Sequence, residues 1–191
     1  MAIDILVVCS ANQCRSPMAE GFLRAELARH AIDATIRSGG TMAVPDLPAT
    51  DDAIATMARA GVDIAAHRSG AVASGDVDGA DLILGMTRAH LRELVLDVPS
   101  AWSRTFTLKE IVRRAEKYGP RAAHETVEDW IRRIGALRQP AELVGSDPVD
   151  DVEDPIGQPR SVYEAVASEL ADLASRLAEA MSLPETSSDT S

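Results

Sequence analysis

Near its start the chain runs IDILVVCSANQCRSPMAEGFL, and no other stretch limits the fold as tightly. Ile3 to Val8 is a short apolar run rich in β-branched residues, which reads as a strand buried on both faces. A helix is predicted from near Ser16. Pro17 suits a first-turn position, where its missing N–H costs nothing, and Met18, Phe22 and Ala25 follow at helical spacing. Cys9 closes the strand, and the six residues Ser10 to Arg15 lead into the helix. A strand buried on both faces and feeding a helix is the opening unit of a parallel sheet with helices on either side.

The rest of the chain repeats the alternation. Ala34–Ser38 reads as a second strand, ended by Gly39 and Gly40. Thr50 or Asp51 caps a helix in which Ile54, Met57 and Ala58 share a face and which Gly61 ends. Ala80–Met86 is the clearest central strand, followed by a helix over Thr87–Leu96. Arg104–Leu108 is a fourth strand. Lys109–Tyr118 and Glu125–Arg138 read as helices, the second amphipathic with Trp130 on its core side. An Asp- and Pro-rich loop covers Gly145–Pro159, and Ser161–Met181 is the last helix. The pattern predicts an α/β three-layer sandwich, a four-stranded central parallel sheet with helices on both faces. One domain is expected over residues 1–183, with an extended helical segment at 111–145. The tail 184–191 (PETSSDTS) is expected to be disordered. Ligands of such sheets bind at the carboxyl ends of the strands, which is where Cys9 falls.

Composition narrows the function. The net charge of −11 repels a phosphate-rich polymer, so no nucleic-acid partner is expected. Met1–Val8 is too short, and carries Asp4, to read as a secretory signal. No apolar run reaches the roughly 20 residues of a membrane helix, so no membrane partner is expected either. The two cysteines, spaced C-x4-C, make neither a disulfide scaffold nor a zinc site, which would need further ligands. Reduced thiols in a cytoplasmic protein without metal or cofactor are the expectation.

The spacing C-x5-R at a strand-to-helix junction has a chemical use. The amides of such a loop can turn inward, and the helix adds its own unpaired N–H groups and the positive end of its dipole. Together they would bind a tetrahedral dianion, with Arg15 as a bidentate clamp. Ser10, Ala11, Asn12, Gln13, Cys14, Arg15 and Ser16 are the predicted phosphate-binding residues. Cys9 would lie beneath the phosphorus. Helix N-termini and nearby cations stabilise thiolates, so Cys9 is predicted to be a ready nucleophile, with Ser16 donating to its sulfur.

The stretch VVCSANQCRSPMAEGFLR resembles the phosphate-binding loop and first helix of the low-molecular-weight protein tyrosine phosphatases, whose pattern is C-x-G-N-x-C-R-S-P. RSGGT, GVDIAAHRS, ADLILGMTRAH and VEDPIGQP resemble further segments of that family, in the same order. The resemblance implies that Cys9 carries a phosphocysteine, that Arg15 holds the equatorial oxygens, and that Asp154, before Pro155, is the general acid and later the base. It implies that Asn12, Ser38 and His67 support the loop, and that Cys14 can bridge to Cys9 under oxidation. The substrate would be a phosphorylated protein or a small phosphomonoester.

Three departures stand out. Ala11 replaces a glycine; if that position needs positive φ, alanine there costs about 1–2 kcal/mol. Gln13 is polar where the family more often has an apolar residue or threonine. No ring follows Pro155, where this chain has Ile156 and Gly157, and none is found near Val44. The leading expectation is a phosphatase of phosphotyrosine-like esters. A protein-arginine phosphatase, an arsenate reductase using an external small thiol, and a non-catalytic phosphate-binding module are the alternatives.

Overall fold

The structure is a computed structural model that describes residues 2–143 and 148–183 of the 191. Four strands, β1 (Ile3–Cys9), β2 (Ala34–Gly40), β3 (Leu82–Gly85) and β4 (Thr105–Thr107), form one sheet in the order β2-β1-β3-β4. Every pairing is parallel. The helices are α1 (Arg15–Arg29), α2 (Asp51–Arg59), α3 (Ser74–Gly79), α4 (Arg88–Asp97), α5 (Leu108–Tyr118), α6 (Val127–Gly135) and α7 (Arg160–Met181).

Strand parity divides the core. Ile3, Ile5, Val7 and Cys9 of β1, with Leu82 and Leu84 of β3, face a layer built from α1, α5, α6 and α7. Leu6, Val8 and Ile83 point the other way, onto Val77 of α3 and Leu94 of α4. Side chains alternate faces along a strand, so a central strand covered on both sides is apolar at every buried position, and in β1 only Asp4, near its start, is polar and part-exposed. This is the three-layer α/β sandwich that the alternation implies.

The strand order places β2 and β3 on opposite sides of β1. The helices that follow β1 and β3, α1 and α4, therefore lie on opposite faces of the sheet, and a crevice opens between the carboxyl ends of these neighbouring strands. The loop Ser10–Cys14 occupies that crevice. Gly40 lies beside Cys9 in the β1–β2 register. A Cβ there would stand 2.4 Å from the Ser10 carbonyl oxygen and 2.9 Å from the Asn12 nitrogen, so the loop needs a glycine at this point.

Boundaries differ from the sequence expectation by a residue or two. Helix α1 starts at Arg15 rather than Ser16, and β2 runs on to Gly40. β3 and β4 are shorter than Ala80–Met86 and Arg104–Leu108. Thr50 is the cap of α2, its side chain accepting from the Ala53 amide at 3.3 Å. The short helix α3 has no counterpart in the sequence reading; its six residues, SGDVDG, have a turn-like composition.

The segment 111–145 contains most of α5, all of α6 and a 3₁₀ turn at Pro140–Leu143. The helix expected over Glu125–Arg138 is the shorter α6. Arg138, beyond its end, is held between the rings of Trp102 and Phe106 at 3.8 and 4.1 Å and pairs with Glu110 at 2.7 Å. Trp130 is fully buried and donates to the Gly119 carbonyl, as its core assignment requires. The tail 184–191, Asp147 and residues 144–145 of the segment lie outside the described residues. Among the described residues, no helix is long and apolar enough to cross a membrane.

Candidate active site

The loop after β1 turns its carbonyls outward. The carbonyls of Cys9 and Ser10 accept from the amides of Thr41 and Met42, and that of Gln13 from Thr50. The Asn12 carbonyl accepts from His67 Nε2 at 2.7 Å. The amides of Ala11, Asn12, Gln13 and Cys14 donate to no atom among the described residues. The amides of Arg15 and Ser16, with no carbonyl behind them in the helix, continue the same row, which ends at Pro17. A concave set of amides at a helix N-terminus is an anion site.

Asn12 supplies the loop's turn. Its φ is 54°, in the left-handed region that asparagine tolerates better than most residues. Its buried side chain is fully used: Nδ2 donates to Ser16 Oγ and Ser38 Oγ, both at 2.9 Å, and Oδ1 accepts from the Gly70 amide at 2.9 Å. Asn12, Ser38 and His67 thus meet at the loop, together with Ser16. Ala11 is not among the residues with positive φ. The penalty considered for alanine does not arise, because the left-handed position is the next residue.

Cys9 Sγ lies 3.0 Å from Ser16 Oγ. Ser16 accepts from Asn12, which leaves its own proton for a partner. The Gly39 carbonyl at 3.5 Å is the longer choice, so the sulfur is the better one. Cys14 is buried, with Sγ 3.7 Å from Met18 Sδ. Burial, followed by the negative charges of Asp154 and Cys9, pushes its thiol up to about 12, so Cys14 is protonated at neutral pH. Gln13 Nε2 donates to the Pro48 carbonyl at 3.1 Å and so ties the loop to the segment before α2.

Arg15 is buried. Its Nη1 donates to the Val152 carbonyl at 3.3 Å and its Nη2 to Asp154 Oδ2 at 2.5 Å. Asp154 is half-exposed, and its Oδ1 also accepts from the Ile156 amide at 3.2 Å. The thiol, the guanidinium and the carboxylate singled out from sequence therefore face one crevice.

His90 was not singled out, although it lies in the ADLILGMTRAH segment. Its Nδ1 accepts from the Thr87 amide at 3.1 Å, so the ring proton resides on Nε2, which donates to Ser10 Oγ at 3.0 Å. Burial and then the Arg15 charge push its pKa down to about 4, with Asp154 opposing, so the ring is neutral at pH 7. The sequence signal was its place on the first turn of a helix that follows a central strand.

A cysteine and an arginine brought together by a strand–loop–helix anion cradle, with an aspartate closing over it, define the cysteine-dependent phosphatase class. The chain belongs to the low molecular weight phosphotyrosine protein phosphatase family, whose model matches residues 4–133. A probable low molecular weight protein-tyrosine-phosphatase EpsP of Ralstonia solanacearum is 40% identical over 111 residues, 58% of this chain and 74% of that protein. A protein-arginine-phosphatase of Geobacillus stearothermophilus is 31% identical over 179 residues, 94% of this chain and 96% of that one. The crystal structure of a low molecular weight protein tyrosine phosphatase from T. tengcongensis superposes with a TM-score of 0.71 at 32% identity, over 93% of this chain and 99% of that chain.

Proposed function

We propose that the chain hydrolyses phosphotyrosine-like phosphomonoesters, on a protein or a small molecule, by way of a phosphocysteine on Cys9. The amides of Ala11–Cys14 and the Arg15 guanidinium receive the phosphoryl oxygens, and more strongly as charge builds in the transition state. The Cys9 sulfur attacks phosphorus, the P–O bond breaks, and Asp154 in its protonated form gives its proton to the departing oxygen. Asp154, now a carboxylate, takes a proton from water. That water attacks phosphorus and the P–S bond breaks. Ser16 donates to the sulfur as it leaves, and inorganic phosphate is released.

The observation that carries this reading is the row of amides from Ala11 to Cys14 without acceptors among the described residues, together with the Cys9 sulfur 3.0 Å from Ser16 Oγ at the row's other end. Turnover of p-nitrophenyl phosphate and of a phosphotyrosine peptide by wild type and Cys9→Ser tests it. Activity in wild type that Cys9→Ser abolishes supports the reading, and activity that survives overturns it.

A second reading, cleavage of the P–N bond of protein phosphoarginine, is supported by the Geobacillus relative and by the rim of the site. Met42, Val44 and Ile156 are exposed aliphatic side chains there, and none of the three offers a ring to stack on a phenyl group. A phosphoarginine peptide in the same assay separates the two.

Cys14 is the redox partner in this account. A peroxide would oxidise Cys9 to a sulfenic acid, its O–O bond breaking as one oxygen passes to sulfur and the other leaves as water or alcohol, and condensation with the Cys14 thiol would then form a disulfide and release water. The protonated state of Cys14 makes that closure slow. The cytoplasm, where both thiols stay reduced, is the compartment that fits.

A further inference from the structure

The acidic segment before Asp154 contains a carboxylate that the mechanism above does not use. Asp150 is 1% exposed. Arg88 Nη2 donates to its Oδ2 at 2.7 Å. Arg113, from α5, donates to both of its oxygens, with Nη2 at 2.8 and 3.0 Å. A buried carboxylate held by two guanidiniums is a fixed point: losing one arginine leaves the other in place, whereas losing the carboxylate removes the shared partner of both.

The residues that follow are tied down in turn. Asp151 Oδ1 accepts from the Arg88 amide at 2.9 Å. The Val152 amide donates to the Met86 carbonyl at 2.8 Å, just past the end of β3. The Val152 carbonyl accepts from Arg15 Nη1. Three consecutive residues therefore connect the segment to β3, to the start of α4 and to the arginine of the anion cradle. Arg88 Nη1 also donates to the Glu142 carbonyl at 3.0 Å, so the far end of the described 111–143 stretch returns to the same arginine. Asp154 itself is half-exposed, and apart from Arg15 its only hydrogen bond among the described residues is with the nearby Ile156 amide. Its position over the crevice is set from upstream.

We propose that Asp150 is a positioning residue: with Arg88 and Arg113 it anchors the loop that presents Asp154 to the leaving group. This rests on the reading of Asp154 as the general acid. Proton transfer needs the acid within hydrogen-bond reach of the leaving oxygen. An anchor four residues away serves that need, whereas a merely stabilising ion pair would not favour one leaving group over another.

The test compares kcat/KM for p-nitrophenyl phosphate and for phenyl phosphate, because this ratio reports the steps up to formation of the phosphocysteine. p-Nitrophenolate leaves with little help from an acid, and phenolate needs the proton. Wild type, Asp154→Ala, Asp150→Asn and Arg113→Gln are compared. The Arg113 side chain is 53% exposed, so its replacement leaves the core intact if Asp150→Asn fails to fold. Asp154→Ala shows the selective loss expected for an acid. Asp150→Asn is expected to lower phenyl phosphate cleavage by about 10- to 100-fold, as a displaced catalytic group does. p-Nitrophenyl phosphate should fall by less than about 3-fold. Arg113→Gln should show the same selectivity at smaller size. If Asp154→Ala is selective but both other variants lower the two substrates by a common factor, or not at all, the inference is overturned. If Asp154→Ala is itself unselective, the acid assignment falls, and the positioning role falls with it.

Discussion

Arg15 Nη2 and Asp154 Oδ2 meet at 2.5 Å although 139 residues separate them in sequence. The cation assigned to phosphate and the carboxylate assigned to proton transfer are each other's partners. An entering dianion has to share that guanidinium with a like charge.

Replacing Asp154 should therefore move binding and turnover in opposite directions. With phenyl phosphate, whose leaving group needs the proton, Asp154→Ala is expected to lower kcat by about 10²- to 10⁴-fold. It should also tighten inhibition by inorganic phosphate by a few-fold, at roughly the scale of one screened charge. Steady-state kinetics with phosphate as inhibitor measures both. Weaker phosphate binding in the variant would show that Asp154 supports the anion instead of competing for Arg15.

Ser16→Ala removes the hydroxyl 3.0 Å from the Cys9 sulfur. A hydrogen bond to a charged group contributes about 1.5–3 kcal/mol, so breakdown of the phosphocysteine should slow by about 10- to 100-fold. The readout is a larger burst of p-nitrophenol followed by a slower steady state. An unchanged steady state would assign the Ser16 proton to the Gly39 carbonyl.

His90 gives the fold a dependence on acid. Its pKa falls from 6.5 to about 4 on folding, so between those values the unfolded chain binds more protons. Stability is full above about pH 6.5 and declines as pH falls toward 4. Below that the loss from this group levels off, at about 3 kcal/mol. Denaturant titrations of wild type and His90→Asn at pH 7 and pH 4.5 measure the difference. The variant, which has no imidazole to protonate, should lose less stability between the two values. Equal losses would mean that His90 titrates alike in both states.

Gly40→Ala tests how closely β2 approaches the loop. The added Cβ would meet the Ser10 carbonyl oxygen and the Asn12 nitrogen, both main-chain atoms that cannot swing aside. A cost of about 1–3 kcal/mol follows, with a Tm lower by several degrees. Turnover should drop as well, because the displaced atoms belong to the anion cradle. Gly75→Ala, whose Cβ would have open space, is the control.

The sheet and the cradle were legible in the sequence because both depend on local rules. Ile3–Cys9 is apolar on both faces, and the C-x5-R spacing forces the loop and the helix start together. Asn12, Ser38 and His67 were legible through the family pattern, and in the structure Ser38 of β2 and His67 both bond to Asn12 of the loop. His90 and Asp150 were not, since each derives its role from distant partners. His90 looks like any first-turn histidine until Ser10 is placed 3.0 Å away. Asp150 is one acid among Asp147, Asp151, Glu153 and Asp154 until Arg88 and Arg113 close on it. The concern over Ala11 was misplaced by one residue, because a sequence pattern does not show which member of a tight loop takes the left-handed conformation.

The most direct measurement is to quench the enzyme with acid during turnover of p-nitrophenyl phosphate and locate the phosphoryl group by peptide mass spectrometry. One phosphoryl group is expected on Cys9, absent in Cys9→Ser. Turnover with no phosphoryl group on Cys9, or turnover that persists in Cys9→Ser, would contradict a phosphocysteine mechanism.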